Sequence, residues 1–486
     1  MAFFELPTKV HIAPDGATYE LGEEERLVTL IMENATFVNF PLHLFYELPQ
    51  LSDLDMRHCN MRYVSWECFL EANKLKILLL SDNEIAQLDE SSFSYASELE
   101  YLFISYNKLS SLHPDAFKGL GQLRHLDLSN NQLELLPEQL FEELSALQEL
   151  VLAENKLRYI SSELLSHNTR LQTVVLHTNQ LQNLGEYAFH SAPLLLFVEL
   201  SHNPGLEVLL LSLNAGHLLA RNCSLSRVNL FGAVSNVDLD NNHLQELYFS
   251  TSEALEHLVL RNNSLQQLAT LSNVPRLRHL NVADNPQLGD LPNDWQTPEL
   301  ERLDLSNTGL LQLPLEALRG MPQLRKLNVS ANNISEINPQ DFEQLTQLTH
   351  FYIHANNWNC FNLRLVMDMV IIQHGISYTV DKFNDDFPGE YIYGIECMYR
   401  LPEQEQMTSD MQQEVDSSSA SSATIEYSQL VEPNVVEKLR QELKSVVQHF
   451  ETRLDMVSGQ LNTLNAKMQT LEHMNSSLWN QVSIRI

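Results

Sequence analysis

Three consecutive stretches of the chain share one pattern: LRHLDLSNNQL at 123–133, LQELVLAENKL at 147–157 and LQTVVLHTNQL at 171–181. Apolar residues recur at the first, fourth, sixth and eleventh positions, an asparagine stands at the ninth, and each stretch starts 24 residues after the previous one. A fixed period of this length indicates a repeat protein, whose units stack because none can bury its apolar face alone.

The same register runs back to Leu27 and forward to Leu348, and it predicts fifteen units across 27–358. Alternation of apolar and polar residues predicts one short strand per unit, and stacked strands predict a parallel sheet with its leucines directed into one core. The asparagine of each unit is expected to bond backbone groups at a tight turn. Four units depart from asparagine there, with Ala35, Cys59, Cys223 and Thr308.

The connections between strands carry two further signals. Between 195 and 255 the period falls to 19–21 residues, which predicts shorter connections and a change of local curvature. Elsewhere a bulky apolar residue recurs before the next strand, at Phe93, Phe117, Phe141, Phe189 and Phe342. This pattern resembles the leucine-rich repeats typical of extracellular proteins.

The predicted fold class is therefore an α/β solenoid, a curved leucine-rich-repeat array with a parallel concave sheet, a helical C-terminal cap and a coiled-coil helix. Composition and spacing divide the chain into five segments. They are an N-terminal segment or cap (1–26), the solenoid (27–358), a C-terminal cap (359–402), a flexible Ser-rich linker (403–429) and the coiled coil (430–486).

The five cysteines are too few for a disulfide-built scaffold, and their odd number leaves at least one thiol unpaired within the chain. Cys360 opens the capping helix predicted at 359–369, and Cys397 follows 37 residues later. In an oxidising compartment they are natural partners for a bridge that closes the cap. The alternative is that Cys397 joins a second chain. Cys59 and Cys223 are expected to be buried and structural.

From Val436 apolar residues return at alternating spacings of three and four, which predicts a coiled coil. One alternative is a single amphipathic helix folded back on the solenoid. Asn475 occupies a core position and also begins a glycosylation sequon, and the two roles exclude each other. The predicted core consists of Leu443, Val447, Phe450, Leu454, Val457, Leu461, Leu464, Met468, Leu471, Asn475 and Leu478.

Charge and motifs argue against several classes of protein. With 30 Lys+Arg against 63 Asp+Glu, the net charge of -33 opposes nucleic acid and anionic lipid, and solubility is its simplest role. The first residues, MAFFELPTKV, do not have the pattern of a secretory signal. No phosphate-binding, nucleophile-elbow, zinc-helix or dinucleotide motif is present, so we expect neither an enzyme nor a cofactor.

Outward strand positions supply the candidate binding residues. Ile77, Leu79, Tyr101 and Phe103, with Tyr106 just beyond, form a predicted concave binding patch, unless local packing or a glycan covers it. Outward histidines at His125, His257, His279 and His350 are expected to be solvated rather than metal ligands or pH sensors. Sequons that predict glycosylation begin at Asn34, Asn222, Asn262, Asn328 and Asn333.

The order of these parts resembles the mosquito leucine-rich-repeat immune proteins, the LRIM family. The similarity covers nearly the whole chain and includes an NxWxC element (Asn357, Trp358 and Cys360) followed by a coiled coil. In that family a pair of adjacent cysteines is usual where this chain has Glu396-Cys397, so a covalent link to a second chain is in doubt.

The resemblance implies a secreted innate-immune protein that dimerises with a second leucine-rich-repeat protein, or with itself, and binds a complement-like thioester protein. The alternatives are a secreted adhesion or decoy-receptor-like protein, and a cytosolic leucine-rich-repeat adaptor.

Overall fold

The computed structural model describes the backbone of Lys9–Ile12 and residues 28–399, apart from short gaps at 33–35, 38–39, 43, 251–252, 269–270, 272–273, 290 and 293–294. Within these residues the strands are β1 (Lys9–Ile12), β2 (Thr29–Met32), β3 (Asp53–Asp55), β4 (Ile77–Leu79), β5 (Gln87–Leu88), β6 (Tyr101–Phe103), β7 (Ser111–Leu112), β8 (His125–Asp127), β9 (Glu149–Val151), β10 (Tyr159–Ile160), β11 (Thr173–Val175), β12 (Asn183–Leu184), β13 (Phe197–Glu199), β14 (Val208–Ser212), β15 (Ala215–Leu219), β16 (Arg227–Phe231), β17 (Val234–Asp238), β18 (Glu246–Phe249), β19 (His257–Val259), β20 (His279–Asn281), β21 (Arg302–Asp304), β22 (Lys326–Asn328), β23 (His350–Tyr352), β24 (Glu390–Ile392) and β25 (Ile395–Cys397).

One parallel sheet organises the described chain and confirms the predicted solenoid. Its strand order is β1-β2-β3-β4-β6-β8-β9-β11-β13-β15-β17-β19-β20-β21-β22-β23. Each of the fifteen predicted units supplies one of these strands. The sheet begins earlier than the boundary predicted at residue 27, because Lys9–Ile12 pairs in parallel with Thr29–Met32.

The core lies directly behind this sheet. The central residue of a typical strand, such as Leu78, Leu102 or Leu126, is fully buried, whereas its two neighbours face outward. Full burial of a leucine side chain contributes about 1.5–3 kcal/mol, so the repeated leucines supply most of the stabilisation. The five predicted phenylalanines are buried on the opposite side of the core, and three of them, Phe93, Phe117 and Phe141, form a column with successive rings 6.2 Å apart.

The secondary structure on the convex side changes where the repeats become shorter. Two-stranded pairs, β5–β7 and β10–β12, are followed by a three-stranded parallel sheet of β14, β16 and β18. Val208 aligns with Arg227, and Arg227 aligns with Glu246, at a constant step of 19 residues. An extended connection needs fewer residues than a helical turn to return the chain, which explains the shorter repeat.

The predicted asparagines form a hydrogen-bonded ladder, in which Cys59, Cys223 and Thr308 occupy three of the positions. Nδ2 of Asn107 donates to the carbonyl of Leu80 in the preceding repeat at 2.9 Å, and to Ile104 in its own repeat at 3.2 Å. Its Oδ1 accepts from the backbone N–H of Ile85 at 3.0 Å. One side chain thus satisfies several buried backbone groups, each of which would cost about 1–3 kcal/mol if left unpaired.

Thr308 shows why one ladder position tolerates another residue. In the preceding repeat Asn285 is followed by Pro286, and the N–H of Leu288 bonds back to the carbonyl of Asn285 at 3.0 Å. This local turn removes the need for an acceptor on the next ladder residue. Only a donor is then required, and the hydroxyl of Thr308 donates to Leu305 at 2.7 Å.

Cys223 has the same surroundings. It follows a repeat in which Asn203 precedes Pro204, and the N–H of Leu206 bonds to the carbonyl of Asn203 at 3.0 Å. The thiol of Cys223 lies 3.4 Å from the carbonyl of Leu200 and acts as a weak donor. The ladder position that Ala35 was predicted to occupy lies outside the described residues.

Helices are few in the described part of the chain. The helices α1 (Leu44–Glu47) and α2 (Leu315–Leu318) and two 3-10 helices, Trp66–Phe69 and Pro339–Gln344, lie on the convex side. The predicted cap helix is α3 (Cys360–Val366), which continues as a π-helix (Met367–Ile372). No helix among the described residues combines the length and the apolar character that a membrane span requires.

The cap covers the end of the solenoid. Asn359 precedes the helix, and its side chain accepts from the N–H of Phe361 at 3.1 Å. A disulfide joins Cys360 to Cys397 on β25, which forms an antiparallel hairpin with β24. The predicted linker (403–429) and coiled coil (430–486), with every predicted core residue, lie outside the described residues.

Candidate functional site

The outward side chains of β4 and β6 lie side by side on the concave face. Ile77 is aligned with Tyr101, and Leu79 is aligned with Phe103. Aligned residues of neighbouring strands have backbones about 4.8 Å apart, so these four side chains form one surface. Tyr101 is exposed and the other three are half-buried. The structure thus brings together four of the five predicted patch residues, which we call the apolar patch.

His125 on β8 extends this patch. Its ring lies 4.6 Å from that of Phe103 and 6.4 Å from that of Tyr101. Nδ1 of His125 is 2.8 Å from Oε2 of Glu149, and only 15% of the histidine side chain is exposed. The expectation of a solvated histidine is therefore wrong here, because the aromatic neighbour on the adjacent strand removes most of its water.

Tyr106 has a different position from the other patch residues. It lies in the turn after β6 with a left-handed backbone (φ 52°), and its side chain is 56% exposed. It lines an open groove of about 600 Å³ together with His58, Asp82, Asn130 and Glu154. Each of these residues directly precedes a ladder position and has positive φ, so the groove repeats with the solenoid. The groove is therefore lined by residues that follow the strands rather than by the strands themselves.

Among the described residues there is no group of three or more His, Cys, Asp or Glu side chains placed to hold a metal ion. What the apolar patch offers is an exposed aromatic ring surrounded by half-buried apolar side chains, which is the composition of a protein interface.

A second apolar surface, which the sequence interpretation did not single out, lies on the cap. Phe361, Leu365, Met369 and Ile372 occupy one side of the capping helix and are exposed. They recur at steps of four, four and three residues, the spacing of one helix face. Phe361 also packs edge-to-face on Tyr399 at 4.9 Å. We call this surface the cap stripe. Its helical spacing could be recognised in the sequence, whereas its exposure could not be predicted.

The predicted glycosylation sites differ in accessibility. Asn222, Asn262 and Asn333 are exposed, whereas Asn34 lies outside the described residues. Asn328 is half-buried on β22, where its Nδ2 donates to Asp304 at 3.0 Å and its Oδ1 accepts from Ser330. A glycan would be attached to the same Nδ2 that bonds to Asp304 on a half-buried side chain, so the structure favours the three exposed positions.

Three cysteines remain as thiols and are buried: Cys59, Cys68 and Cys223. Burial is the main reason why the pKa of Cys223 rises to about 11, since the thiolate would be poorly solvated there. Cys59 and Cys223 serve the ladder, as expected. Cys68 lies 3.4 Å from the hydroxyl of Ser65 at the start of a 3-10 helix.

Comparison with known proteins identifies the repeat. Residues 73–133, 126–181 and 298–357 match the family model described as Leucine rich repeat. Nephrocan of Mus musculus is 32% identical over 133 residues, which are 26% of this chain and 25% of Nephrocan. Oligodendrocyte-myelin glycoprotein of Homo sapiens is 30% identical over 129 residues, 26% of this chain and 29% of that protein. The chain thus spans about a quarter of the length of these curated relatives.

Solved structures resemble the whole array. The APL1 leucine-rich repeat domain has a TM-score of 0.58 at 20% identity and covers 81% of this chain and 97% of its own. A chain of the LRIM1/APL1C complex has a TM-score of 0.57 at 20% identity, with 93% of this chain and 74% of its own covered. At these identities the likeness concerns the fold. The described chain has the fold of a leucine-rich-repeat solenoid.

Proposed function

We propose that this protein is an extracellular innate-immune scaffold that pairs with a second leucine-rich-repeat protein, or with itself, and binds a complement-like thioester protein on its concave face. The observation that carries the binding role is the apolar patch on β4 and β6 together with His125. Exposed aromatic area within a rigid sheet favours tight binding, because little conformational freedom is lost on contact.

The extracellular setting is supported by the cap. A disulfide such as Cys360–Cys397 persists in oxidising compartments and is rare in the cytosol. Exposed sequons at Asn222, Asn262 and Asn333 are compatible with the same setting. Purification from the native source followed by mass spectrometry tests this: a reduced Cys360 with unmodified asparagines would favour the cytosolic adaptor instead.

Pairing is supported by two observations. The predicted coil begins beyond the cap, and the cap itself carries the exposed cap stripe, which a partner would remove from water. A chain of the LRIM1/APL1C complex has the same fold.

Light scattering on the full chain tests pairing. We expect a mass near twice 55.7 kDa for the wild type, and a monomer for Leu454→Asp with Leu461→Asp, because charged residues in a coil core oppose association. The matched control carries Thr452→Asp and Asn462→Asp outside the predicted core and should remain a dimer. A monomeric wild type would contradict self-pairing, and a wild type that becomes a mixed dimer with a purified leucine-rich-repeat protein would favour the heterotypic form.

Partner capture tests the concave face. The full chain should retain a thioester protein from insect haemolymph, and Tyr101→Asp with Leu79→Asp should abolish retention because charge is placed in an apolar contact. Thr173→Asp with Val175→Asp, on the outward positions of β11, is the matched control. Recovery of a matrix or receptor protein in place of a thioester protein would favour the adhesion or decoy-receptor alternative.

A further inference from the structure

A row of basic side chains crosses the C-terminal part of the concave face. The first outward position of five successive strands, β19 to β23, is aligned across the sheet without a break. At a strand spacing of about 4.8 Å the five positions extend over roughly 19 Å. We call them the basic row: His257, His279, Arg302, Lys326 and His350.

Two cations of the row stand without an ion pair. In the part of the chain that the structure describes, neither Arg302 nor Lys326 has a carboxylate partner, whereas Arg221 and Arg261 are each paired with an aspartate. The nearest acid along β21 is Asp304, and its oxygens are already bonded to Ser306 and Asn328. In a chain of net charge -33, free cations on consecutive strands are unusual.

The two histidines of the row form a close pair. The rings of His257 and His279 meet edge-to-face with their centres 4.2 Å apart. Burial lowers the pKa of both, and for His279 the charge of His257 lowers it further. The pair is therefore neutral near neutral pH and becomes doubly charged only when a counter-charge is supplied or the solution is acidified.

Charged groups around the pair raise or lower the pKa values of the two histidines. Arg278, Arg302 and His217 lower the pKa of His257, whereas Glu256 raises it. Glu301 has the same raising effect on His279. On these strands and beside them, four cations stand among four carboxylates before any histidine is protonated, and Arg278 is paired with Glu299 at 3.5 Å. The charged side chains are Arg278, Arg302, Arg325 and Lys326, and Glu256, Glu299, Glu301 and Asp304.

We propose that the basic row is a second docking surface, which binds a carboxylate-rich segment of a partner protein more tightly as the pH falls. Charge complementarity supports the assignment. Two unpaired cations and three histidines lie in one row on the concave face of a strongly acidic protein. The flanking carboxylates of Glu256 and Glu301 can accept hydrogen bonds, and a polypeptide supplies N–H groups beside its own carboxylates. Polyphosphate supplies chiefly acceptors and is repelled at long range by the net charge.

This proposal does not depend on the apolar patch, since the row occupies strands β19 to β23 rather than β4 and β6. The probe is a fluorescein-labelled peptide of alternating glutamate and serine, with an all-serine peptide as its reference. Fluorescence anisotropy with the full-length protein is measured at about pH 7.5 and about pH 5.5 at one fixed ionic strength.

We expect the glutamate peptide to bind about fivefold more tightly at the lower pH, as two further ion pairs form. Arg302→Gln with Lys326→Gln should weaken binding about fivefold at both pH values. His257→Gln with His279→Gln should remove most of the pH dependence, because only His350 of the three histidines remains, and should leave the affinity at pH 7.5 unchanged. Lys118→Gln with Arg170→Gln removes the same charge from exposed positions elsewhere and should change nothing.

Three results would overturn the proposal. One is equal binding of the glutamate and serine peptides. Another is a wild-type affinity in the Arg302→Gln, Lys326→Gln variant, which would make long-range charge rather than the row responsible. The third is tighter binding of a heparin fragment or a DNA oligonucleotide that depends on the same residues, because the ligand would then be a polyanion of another class.

Discussion

Oδ1 of Asn332 accepts the backbone N–H of Leu310 at 3.0 Å, although 22 residues separate them in the chain. The same oxygen accepts the N–H of Thr308 at 2.9 Å, while Nδ2 donates to the carbonyl of Leu305 in the preceding repeat at 2.8 Å. A single buried amide thus links two repeats at the edge of the sheet, and its contribution can be measured.

We predict that Asn332→Ala lowers the free energy of unfolding by about 3 kcal/mol, because several buried backbone groups lose their partners together. Thr308→Val should cost about 1 kcal/mol, since that side chain supplies only a donor. Urea denaturation followed by circular dichroism compares them, with the exposed Gln323→Ala as control. Equal losses at 308 and 332 would contradict the difference in roles.

The thiol of Cys223 should be inert in the folded protein. With a pKa of about 11, on the order of one thiol in a thousand is ionised at pH 8, and burial restricts access as well. Labelling with a thiol reagent should therefore follow unfolding in urea rather than precede it. Rapid labelling of Cys223 under native conditions, located by peptide mass spectrometry, would show that the ladder opens readily at this repeat.

Loss of the cap disulfide should loosen the end of the solenoid. Cys360→Ser with Cys397→Ser removes a link across 37 residues, and we expect the stability of the cap to fall by about 2–4 kcal/mol. Hydrogen exchange should rise in 360–398 and remain unchanged near β8 and β9, which provide an internal control. Faster exchange throughout the sheet would instead mean that the disulfide stabilises the entire array.

The histidine pair should make stability depend on pH. Because the pKa values of His257 and His279 are lowered in the folded protein, the unfolded chain binds more protons between those values and about 6.5. The free energy of unfolding is therefore unaffected by the pair above about pH 6.5, and it decreases as the pH falls below that value. Urea midpoints should decline less steeply with acidification in His257→Gln with His279→Gln; an unchanged slope would exclude the pair as the cause.

Much of the fold was predictable from the sequence because leucine-rich repeats are locally encoded. The strand, the turn and the ladder asparagine all lie within eleven residues, as in 123–133, and their period sets the parallel register. The column of phenylalanines was predicted for the same reason, although it also extends toward the N-terminus through Phe45 and Phe69. The extra strand at Lys9–Ile12 was missed, since its segment lacks the repeat pattern.

The candidate sites were only partly predictable. The apolar patch was named from outward strand positions, but Tyr106 lines the neighbouring groove, and His125 was expected to be solvated. Contacts between residues about 24 positions apart depend on which side chains meet across the sheet, and a single repeat does not encode that. The cap stripe was missed because helical spacing does not distinguish a covered face from an exposed one.

The sequence by itself determined the repeating unit, the direction of its leucines, the ladder at each turn and the position of the cap. These features follow from interactions within one repeat or between identical neighbours. Only the tertiary structure decided that Phe103 covers His125, that His257 meets His279, and that Arg302 and Lys326 stand unpaired beside them. Burial and charge pairing depend on which side chains of different repeats meet when the repeats stack. The sequence of a single repeat does not specify which side chains are then removed from solvent.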